Sequence, residues 1–530
     1  MFSKGILIVF LIILVISGLL FFWKLRSAPL ENWDEGIHAE VSREMHQNGS
    51  WLSMTYRDQL YTAKPPLKFW MTTALFPIFG VTEFAVRFWS AIAGIATTLL
   101  LTIWAWQWMH RYTTVLVTVG SFLFSQLVFL HAFRTGETDG LLAFSITAAL
   151  YCYWRSRQQR RWFLWFGVFV GFAVMFKSIA GLLPPIIVGL DLTISKRWRA
   201  LGLRTILQAV GIALLIIAPW HLYETFRHGM TFWRNYIGFH VLDRSVENLY
   251  ANNVPWYWYA DILFRKTYPY KFLVPIGLLV SIARFVRTRE PLDRLLFVTI
   301  AIIFGAFTLV QTKFAWYILP LLPALALLIG RSAQEFFDDR KRWIDVVMLL
   351  GFLGTAYILP TGIDRSRSLW RILPHAYLPA WFSTTPFGRL AVAGAALLLL
   401  ILVIVWLRKV LLQPRLVIGG MIIGYLFLVA FGWQVAGIRA QATSAPLERI
   451  AQKLSTEHAT TLDVLGVDLL RQPAGYFYLR RVSGLSLREV PNADTPSTDY
   501  LLTITALDPT LLARYHILLR DGPYTLLSLR

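Results

Sequence analysis

Long apolar runs recur along this chain at a length suited to one solvent, the interior of a lipid bilayer. About thirteen stretches of roughly 16 to 26 apolar residues each match what a helix needs to cross about 30 Å of hydrocarbon. They run approximately over 5–23, 83–108, 113–133, 138–155, 161–176, 179–194, 203–222, 270–286, 294–310, 314–330, 342–360, 388–407 and 416–434. Backbone polar groups in hydrocarbon must be satisfied internally, so such runs read as helices. The first run has a weak basic start (Met1 to Lys4), is too long for a signal peptide and lacks a small-x-small cleavage site before Phe21, Phe22 and Trp23. It is therefore expected to remain as a span. The one cysteine, Cys152, lies inside an apolar run and excludes a disulfide framework.

A net charge of +21 raises the question of nucleic acid. The placement of the basic residues answers it. With a cytoplasmic N-terminus, alternate loops carry Arg155, Arg157, Arg160 and Arg161, then Lys196, Arg197, Arg199 and Arg204, then Arg284, Arg287, Arg289 and Arg294. Arg331, Arg340, Lys341 and Arg342 continue the series, and Arg408, Lys409 and Arg415 end it. The short loops of the other face hold Arg134, Lys177 and Lys313. Basic charge here sets membrane orientation, and no nucleic-acid partner is expected.

The same parity puts segments 24–82, 223–269 and 361–387 outside the cytoplasm, together with the tail 435–530. Residues 1–434 then form a membrane domain of about thirteen helices, and 435–530 a small soluble α/β unit. In the tail, Ser444 and Pro446 open a helix-like LERIAQKL; TLDVLGVD, DYLLTITAL, HILLR and TLLSLR read as strands, the last two joined around Asp521-Gly522.

The chemistry-bearing residues gather on that outer face. After the first span, Asn32 and Glu35 form a capping-box pattern and Asn48-Gly49 a stop, predicting an amphipathic helix at the membrane surface. Ile37, Val41 and Met45 make one stripe, and Asp34, His38 and Ser42 another. Asp34 and Glu35 sit where acids also simply complement a helix dipole. Lys64, held before Pro65-Pro66, suits a lipid phosphate or a headgroup anchor. The second apolar stretch that follows is too short to span. The loop FRTGETDG brings Arg134, Glu137 and Asp139 to the membrane edge; Lys177 interrupts an apolar run, and Lys313 lies near Tyr317. An unpaired charge at such depth is costly, which makes these lysines functional candidates. His240, Asp243 and Arg244 precede an aromatic belt in the second long loop.

The run from Asp34-Glu35 through Met45, followed by Lys64-Pro65-Pro66, resembles the first extracytoplasmic loop of GT-C glycosyltransferases that use polyprenyl-phosphate sugars. The pattern is most similar to the lipid A aminoarabinose transferases and the bacterial protein O-mannosyltransferase-like enzymes. It extends through Asp139, the GFHVLDRS segment at His240 and KFAWYILPLLP at Lys313, covering most of residues 1–330. The resemblance implies a GT-C fold, with Asp34 as the essential site carboxylate, Lys64 on the donor phosphate and Asp139 supporting the acceptor side. Glu35 joins the catalytic candidates. Arg134 and Lys313 are expected to add charge at the phosphate, and His38, Glu137, His240 and Tyr317 to contact substrate. Two positions depart from the family: His38 replaces a Tyr, and Ala63 replaces a Glu that helps a His hold a metal. No cofactor and no tightly bound metal are therefore expected.

A polyprenyl phosphate is a good leaving group, so the enzyme has to align an acceptor opposite it and stabilise the departing charge. Inversion at the sugar carbon follows. No Gly-rich nucleotide loop is visible, consistent with a lipid-linked donor. The expected acceptor is a lipid, a glycan or a protein, and the expected location a bacterial inner membrane with the site facing the periplasm. A transporter or flippase would also have many spans and buried charges, but would place them at the midplane in paired broken helices. A scaffold explains the spans and leaves the Asp-Glu and Lys-Pro-Pro elements without a use.

Overall fold

The computed structural model describes residues 4–123, 125–129, 131–243, 254–266, 273–338, 444–491, 498–504 and 509–530. Every expected span up to 314–330 meets a helix, and 342–360, 388–407 and 416–434 lie outside the described residues. The first helix, α1 (Lys4–Phe22), is apolar apart from Lys4 and Ser17. Then come α2 (Asp34–Asn48), a small hairpin β1–β2 (Thr55–Tyr56, Gln59–Leu60), and the short apolar helices α3 (Leu67–Thr73) and α4 (Phe76–Phe79). Further helices are α5 (Glu83–Met109), α6 (Tyr112–Leu123), α7 (Gln126–Phe129), α8 (Asp139–Ser156), α9 (Trp162–Lys177) and α10 (Leu183–Ser195). After α11 (Trp198–Leu201), α12 (Leu203–Trp233) is broken at Gly229 and continues into a wider π-helical segment, Arg234–Asp243. The membrane part ends, among described residues, with α13 (Trp258–Lys266), α14 (Leu273–Thr288), α15 (Pro291–Leu309), a 3-10 turn Ala315–Leu321 and α16 (Leu322–Asp338).

Six of these described segments are long and apolar enough to cross a membrane: 5–22, 83–109, 162–195, 203–239, 291–309 and 315–334. Leu7, Ile8, Leu11, Leu214 and Leu215 are exposed, the outward apolar surface expected of helices solvated by lipid. Inside the bundle the helices approach closely at small residues. A Cβ on Gly167 would lie 2.2 Å from the Ala209 carbonyl oxygen, and one on Gly171 2.9 Å from the Ile216 side chain, so the backbone of α9 meets the backbone of α12 at Ala209 and a side chain at Ile216.

One expected span is corrected. The apolar run 113–133 does not continue as one helix, since α6 ends at Leu123 and the chain turns from there. Leu127, Val128, Ala132 and Phe133 are apolar because they pack into the main core. The turn carries His131 out of the bundle and into the outer loop.

The tail forms a five-stranded sheet in the order β4-β3-β5-β7-β6, from β3 (Thr461–Leu465), β4 (Ser486–Val490), β5 (Tyr500–Thr503), β6 (Tyr515–Asp521) and β7 (Tyr524–Leu529). β3 pairs parallel with β4 and β5; β7 pairs antiparallel with β5 and β6. The turn between β6 and β7 uses Gly522 at φ +56°. Helices α17 (Ala445–Thr456) and α18 (Pro473–Arg480) pack on the sheet, with α19 (Pro509–Arg514) leading into β6; α18 and β4 carry no clear sequence signal.

The tail covers α2. Gly36 allows this, because a Cβ there would lie 2.3 Å from the backbone nitrogen of Ala474. Asn32 Oδ1 accepts the Ala474 N–H (3.3 Å), Leu30 N–H donates to Tyr478 Oη (2.7 Å), and Arg481 pairs with Glu83 (2.9 Å). These contacts correct the picture of α2 as a surface helix capped by Asn32. Asn32 faces the tail, the helix begins at Asp34, and Glu35, Gly36 and every residue from His38 to Met45 are buried. The apolar stripe behaves as expected: Val41 and Met45 pack with Met54, Phe69, Trp220 and Phe232, and Ile37 lies against that cluster. Gly49 closes the helix at φ +67°.

Candidate active site

The foundation of the site is Arg87, an ionisable residue inside the apolar α5. Its Nε and Nη2 bind the two oxygens of Glu35 (2.7 and 2.9 Å), and its remaining N–H groups donate to the carbonyls of Leu25, Ala28 and Pro29. Glu35 also accepts the backbone N–H groups of Glu31 (2.6 Å) and Gly136 (2.7 Å). Burial alone would raise the Glu35 carboxyl, but Arg87 outweighs it and holds the group below its ordinary value. One salt bridge thus fixes the start of α2 against the chain entering it and against the 131–139 loop.

That anchoring points the preceding residue, Asp34, into the loop. Carboxylate oxygens of Asp34 and Glu137 and a ring nitrogen of His131 all lie within 4.8 Å of one another. Burial would raise the Asp34 carboxyl; the positive charges of Lys64, His131 and Lys177 overcome this and hold it below its ordinary value. One turn on, His38 Nδ1 stands 3.1 Å from the Gly136 carbonyl oxygen and 3.3 Å from Glu137 Oε2, with the ring edge-on to Phe69. A carbonyl can only accept, so Nδ1 carries the proton. Burial, aided by Lys68 and Lys64, pushes the imidazole well below its ordinary value and keeps it neutral.

Opposite α2, Lys177 at the end of α9 pairs with Asp139 at the start of α8, and its ammonium lies 5.0 Å from the Tyr317 ring centroid. Trp316 stacks on His131 with ring centroids 3.8 Å apart. His131 Nε2 is 3.6 Å from Glu137 Oε1 and its Nδ1 4.0 Å from Glu31 Oε2. Lys68 on α3 is completely buried behind these acids; burial drives its ammonium down to about 8 against the pull of Glu137 and Glu35. Its Nζ and both oxygens of Glu137 lack a hydrogen-bond partner among the described residues.

Three non-glycine residues at this site have positive φ: Trp33 (82°) before Asp34, His131 itself (59°) and Ser178 (51°) after Lys177. Such backbone costs about 1–3 kcal/mol per residue and persists where the surrounding structure holds a functional geometry.

The structure brings together Asp34, Glu35, His38, Lys64, Glu137, Asp139 and Tyr317 from the expected set. Arg134 instead reaches the end of α1, donating to the carbonyls of Leu20 and Trp23. Lys313 is buried in the turn leading to Trp316 and Tyr317. The side chain of His240 lies outside the described residues. His131, Lys68 and Arg87 escaped the sequence reading, though each was legible as an ionisable residue set within an apolar run.

A sequence-family profile described as dolichyl-phosphate-mannose-protein mannosyltransferase matches residues 63–223. The undecaprenyl phosphate-alpha-4-amino-4-deoxy-L-arabinose arabinosyl transferase of Pectobacterium carotovorum is 28% identical over 395 residues, covering 72% of this chain and 69% of that one. The protein of the same name from an Enterobacter species is 28% identical over 349 residues, covering 64% of this chain and 62% of its own length. The crystal structure of ArnT from Cupriavidus metallidurans bound to undecaprenyl phosphate superposes with a TM-score of 0.73 at 20% identity, covering 99% of this chain and 98% of that one. Its apo state gives 0.71 at 21% identity. In fold and in sequence, this chain resembles the GT-C glycosyltransferases that use polyprenyl-phosphate sugars, most visibly the aminoarabinose transferases.

Proposed function

We propose that this chain is an inverting glycosyltransferase that takes a sugar from a polyprenyl-phosphate donor at the extracytoplasmic face of a bacterial inner membrane. The names of the relatives support undecaprenyl phosphate as the lipid and an amino-deoxy pentose as the sugar. The acceptor is a hydroxyl or phosphate on a lipid, glycan or protein. One observation carries the reading: partly buried Asp34 stands on the outer face with Glu137 and His131 within 4.8 Å, and Lys64 and Lys177 from two other segments hold its carboxyl below its ordinary value.

In this reading Asp34 orients the acceptor and takes its proton when the acceptor is a hydroxyl. Lys64, fixed by Pro65 and Pro66, meets the donor phosphate and stabilises the charge left as the bond to the sugar breaks. Asp139 and Lys177 hold each other and shape the acceptor side. Tyr317 lines that side, with Lys313 adding positive charge behind it. Glu35 is a positioning residue, since Arg87 and two backbone N–H groups take up its oxygens. Arg134 is likewise assigned to holding α1. His38, neutral and pinned to Gly136, stands where related enzymes carry a Tyr, and is assigned to sugar contact. Ala63 offers no ligand for the metal that the family's Glu helps to hold there, so no step depends on one at that position.

Purified chain in nanodiscs, given labelled undecaprenyl phosphate-aminoarabinose and a panel of lipid acceptors, tests the reading. Transfer with inversion is expected, and Lys64→Ala should lose it while Lys64→Arg regains part, because Arg keeps the charge and changes its shape. A well-folded Lys64→Ala protein with unchanged rate and donor affinity would reduce Lys64 to a headgroup anchor.

A further inference from the structure

We propose that Asp34, His131 and Glu137 form a site for a first-row divalent cation, with Zn2+ the best fit. The site is distinct from one built on Ala63 and His240. It shares Asp34 with the proposed transfer reaction, and rests on that reading for nothing else.

The Glu137 side chain is only 1% exposed, yet neither oxygen accepts a hydrogen bond among the described residues. Leaving a buried carboxyl without partners costs on the order of 1–3 kcal/mol or more, and native structures rarely leave one so without a use. The nearest groups are two imidazoles, at 3.3 Å (His38) and 3.6 Å (His131), neither of which is placed as a donor to it. His131 Nε2, the nitrogen facing Glu137, is also without a hydrogen bond. An oxygen of Asp34 completes a triangle whose corners are all within 4.8 Å. Bond lengths of about 2.0–2.2 Å to Zn2+ require ligand atoms roughly 3–4 Å apart, a closure that small side-chain rotations supply.

The donor set selects the ion. Two carboxylates and one imidazole suit zinc and its first-row neighbours, whereas Ca2+ and Mg2+ favour oxygen alone. Three protein ligands leave a fourth position open, the arrangement of zinc sites that bind a further ligand. The outer groups fit as well. Glu31 approaches the far nitrogen, His131 Nδ1, as carboxylates do behind zinc-bound histidines, and Trp316 holds the ring plane. The opposing charges are Lys64, Lys177 and, before a metal binds, the His131 ring itself on the Asp34 side, and Lys68 on the Glu137 side. Lys177 is already engaged by Asp139.

The test uses the full-length chain in nanodiscs, stripped with chelator and titrated calorimetrically with ZnCl2, MnCl2 and CaCl2 alone, without donor. Stoichiometric Zn2+ binding is expected, Mn2+ weaker and Ca2+ undetectable. Glu137→Gln and His131→Asn should abolish it, and Glu31→Gln should weaken it about 10- to 100-fold. Circular dichroism of each stripped variant separates misfolding from ligand loss, and Glu31→Gln, which leaves all three ligands in place, serves if the other two misfold. No Zn2+ binding by the native chain, or binding unchanged in Glu137→Gln and His131→Asn, overturns the site and makes Glu137 a protonated buried acid. Failure of sugar transfer with zinc still bound would count against the transferase reading and leave the site standing.

Discussion

Two buried carboxylates, at opposite ends of the bundle, are treated in opposite ways. Asp191, on α10, is completely buried and fully engaged: it accepts from Tyr153 Oη (2.5 Å), Arg157 (3.1 Å) and Arg294 (2.7 Å). Glu137 is buried to nearly the same degree and accepts no hydrogen bond among the described residues. The cost of burying charge is the same kind of cost in both places. At Asp191 it is offset by protein groups, so that the acid joins α8, α10 and α15 into one body. At Glu137 no hydrogen bond among the described residues offsets it, only imidazoles at 3.3 and 3.6 Å and the nearby Lys68, and that difference marks one end as scaffold and the other as the proposed site.

The largest expected effect breaks the scaffold end. Asp191→Ala strands Arg157 and Arg294 at a buried position and should cost about 3–5 kcal/mol, read by thermal or denaturant unfolding in detergent. Glu137→Gln in chelator-stripped protein should change stability far less, since neither carboxyl oxygen accepts a hydrogen bond among the described residues. Equal destabilisation by both substitutions would erase the distinction.

A smaller effect is expected where the tail meets the site. Gly36→Ala forces a methyl into the Ala474 backbone and should cost about 1–3 kcal/mol. The loss should appear as faster hydrogen exchange in α2 and α18 together, with the β-sheet unaffected. Exchange confined to α2 would show that the tail does not hold the helix.

The smallest concerns Arg449 and Asp521 on the tail surface. Their hydrogen-bonded pairing lowers the Asp521 carboxyl below its ordinary value of 3.8. The stabilisation is fully present above that value and is lost as pH falls through the lowered folded one. Arg449 is half-exposed, so Arg449→Ala should cost only about 0.2–1 kcal/mol. Hydrogen exchange of the β6–β7 hairpin should differ between variant and parent at pH 6, and the difference should shrink as pH falls below 3.8. A difference that does not shrink would assign the effect to packing of the Arg449 stem.

The spans were legible because hydrocarbon demands long apolar runs whatever the neighbours are, and the strands of the tail because alternation and a Gly turn are local. Asp34, Lys64 and Asp139 were legible because acids and lysines cluster at segment ends. What composition hid was the use of apolar residues for core rather than span, which is how 113–133 passed for one helix and took His131 with it. Tertiary contact hid the rest. Nothing near Gly36 announces that Ala474 will touch it, and Arg87 and Lys68 gain meaning only from acids that arrive from α2 and the loop.

The most direct measurement is single-turnover sugar transfer by Asp34→Asn, alongside the parent chain, from a labelled polyprenyl-phosphate donor. Asn keeps the shape and removes the charge that Lys64 and Lys177 sustain. An intact, membrane-inserted protein that still binds donor and transfers no sugar above background is expected. Transfer at near the parent's rate by a folded Asp34→Asn protein would contradict the role proposed for Asp34.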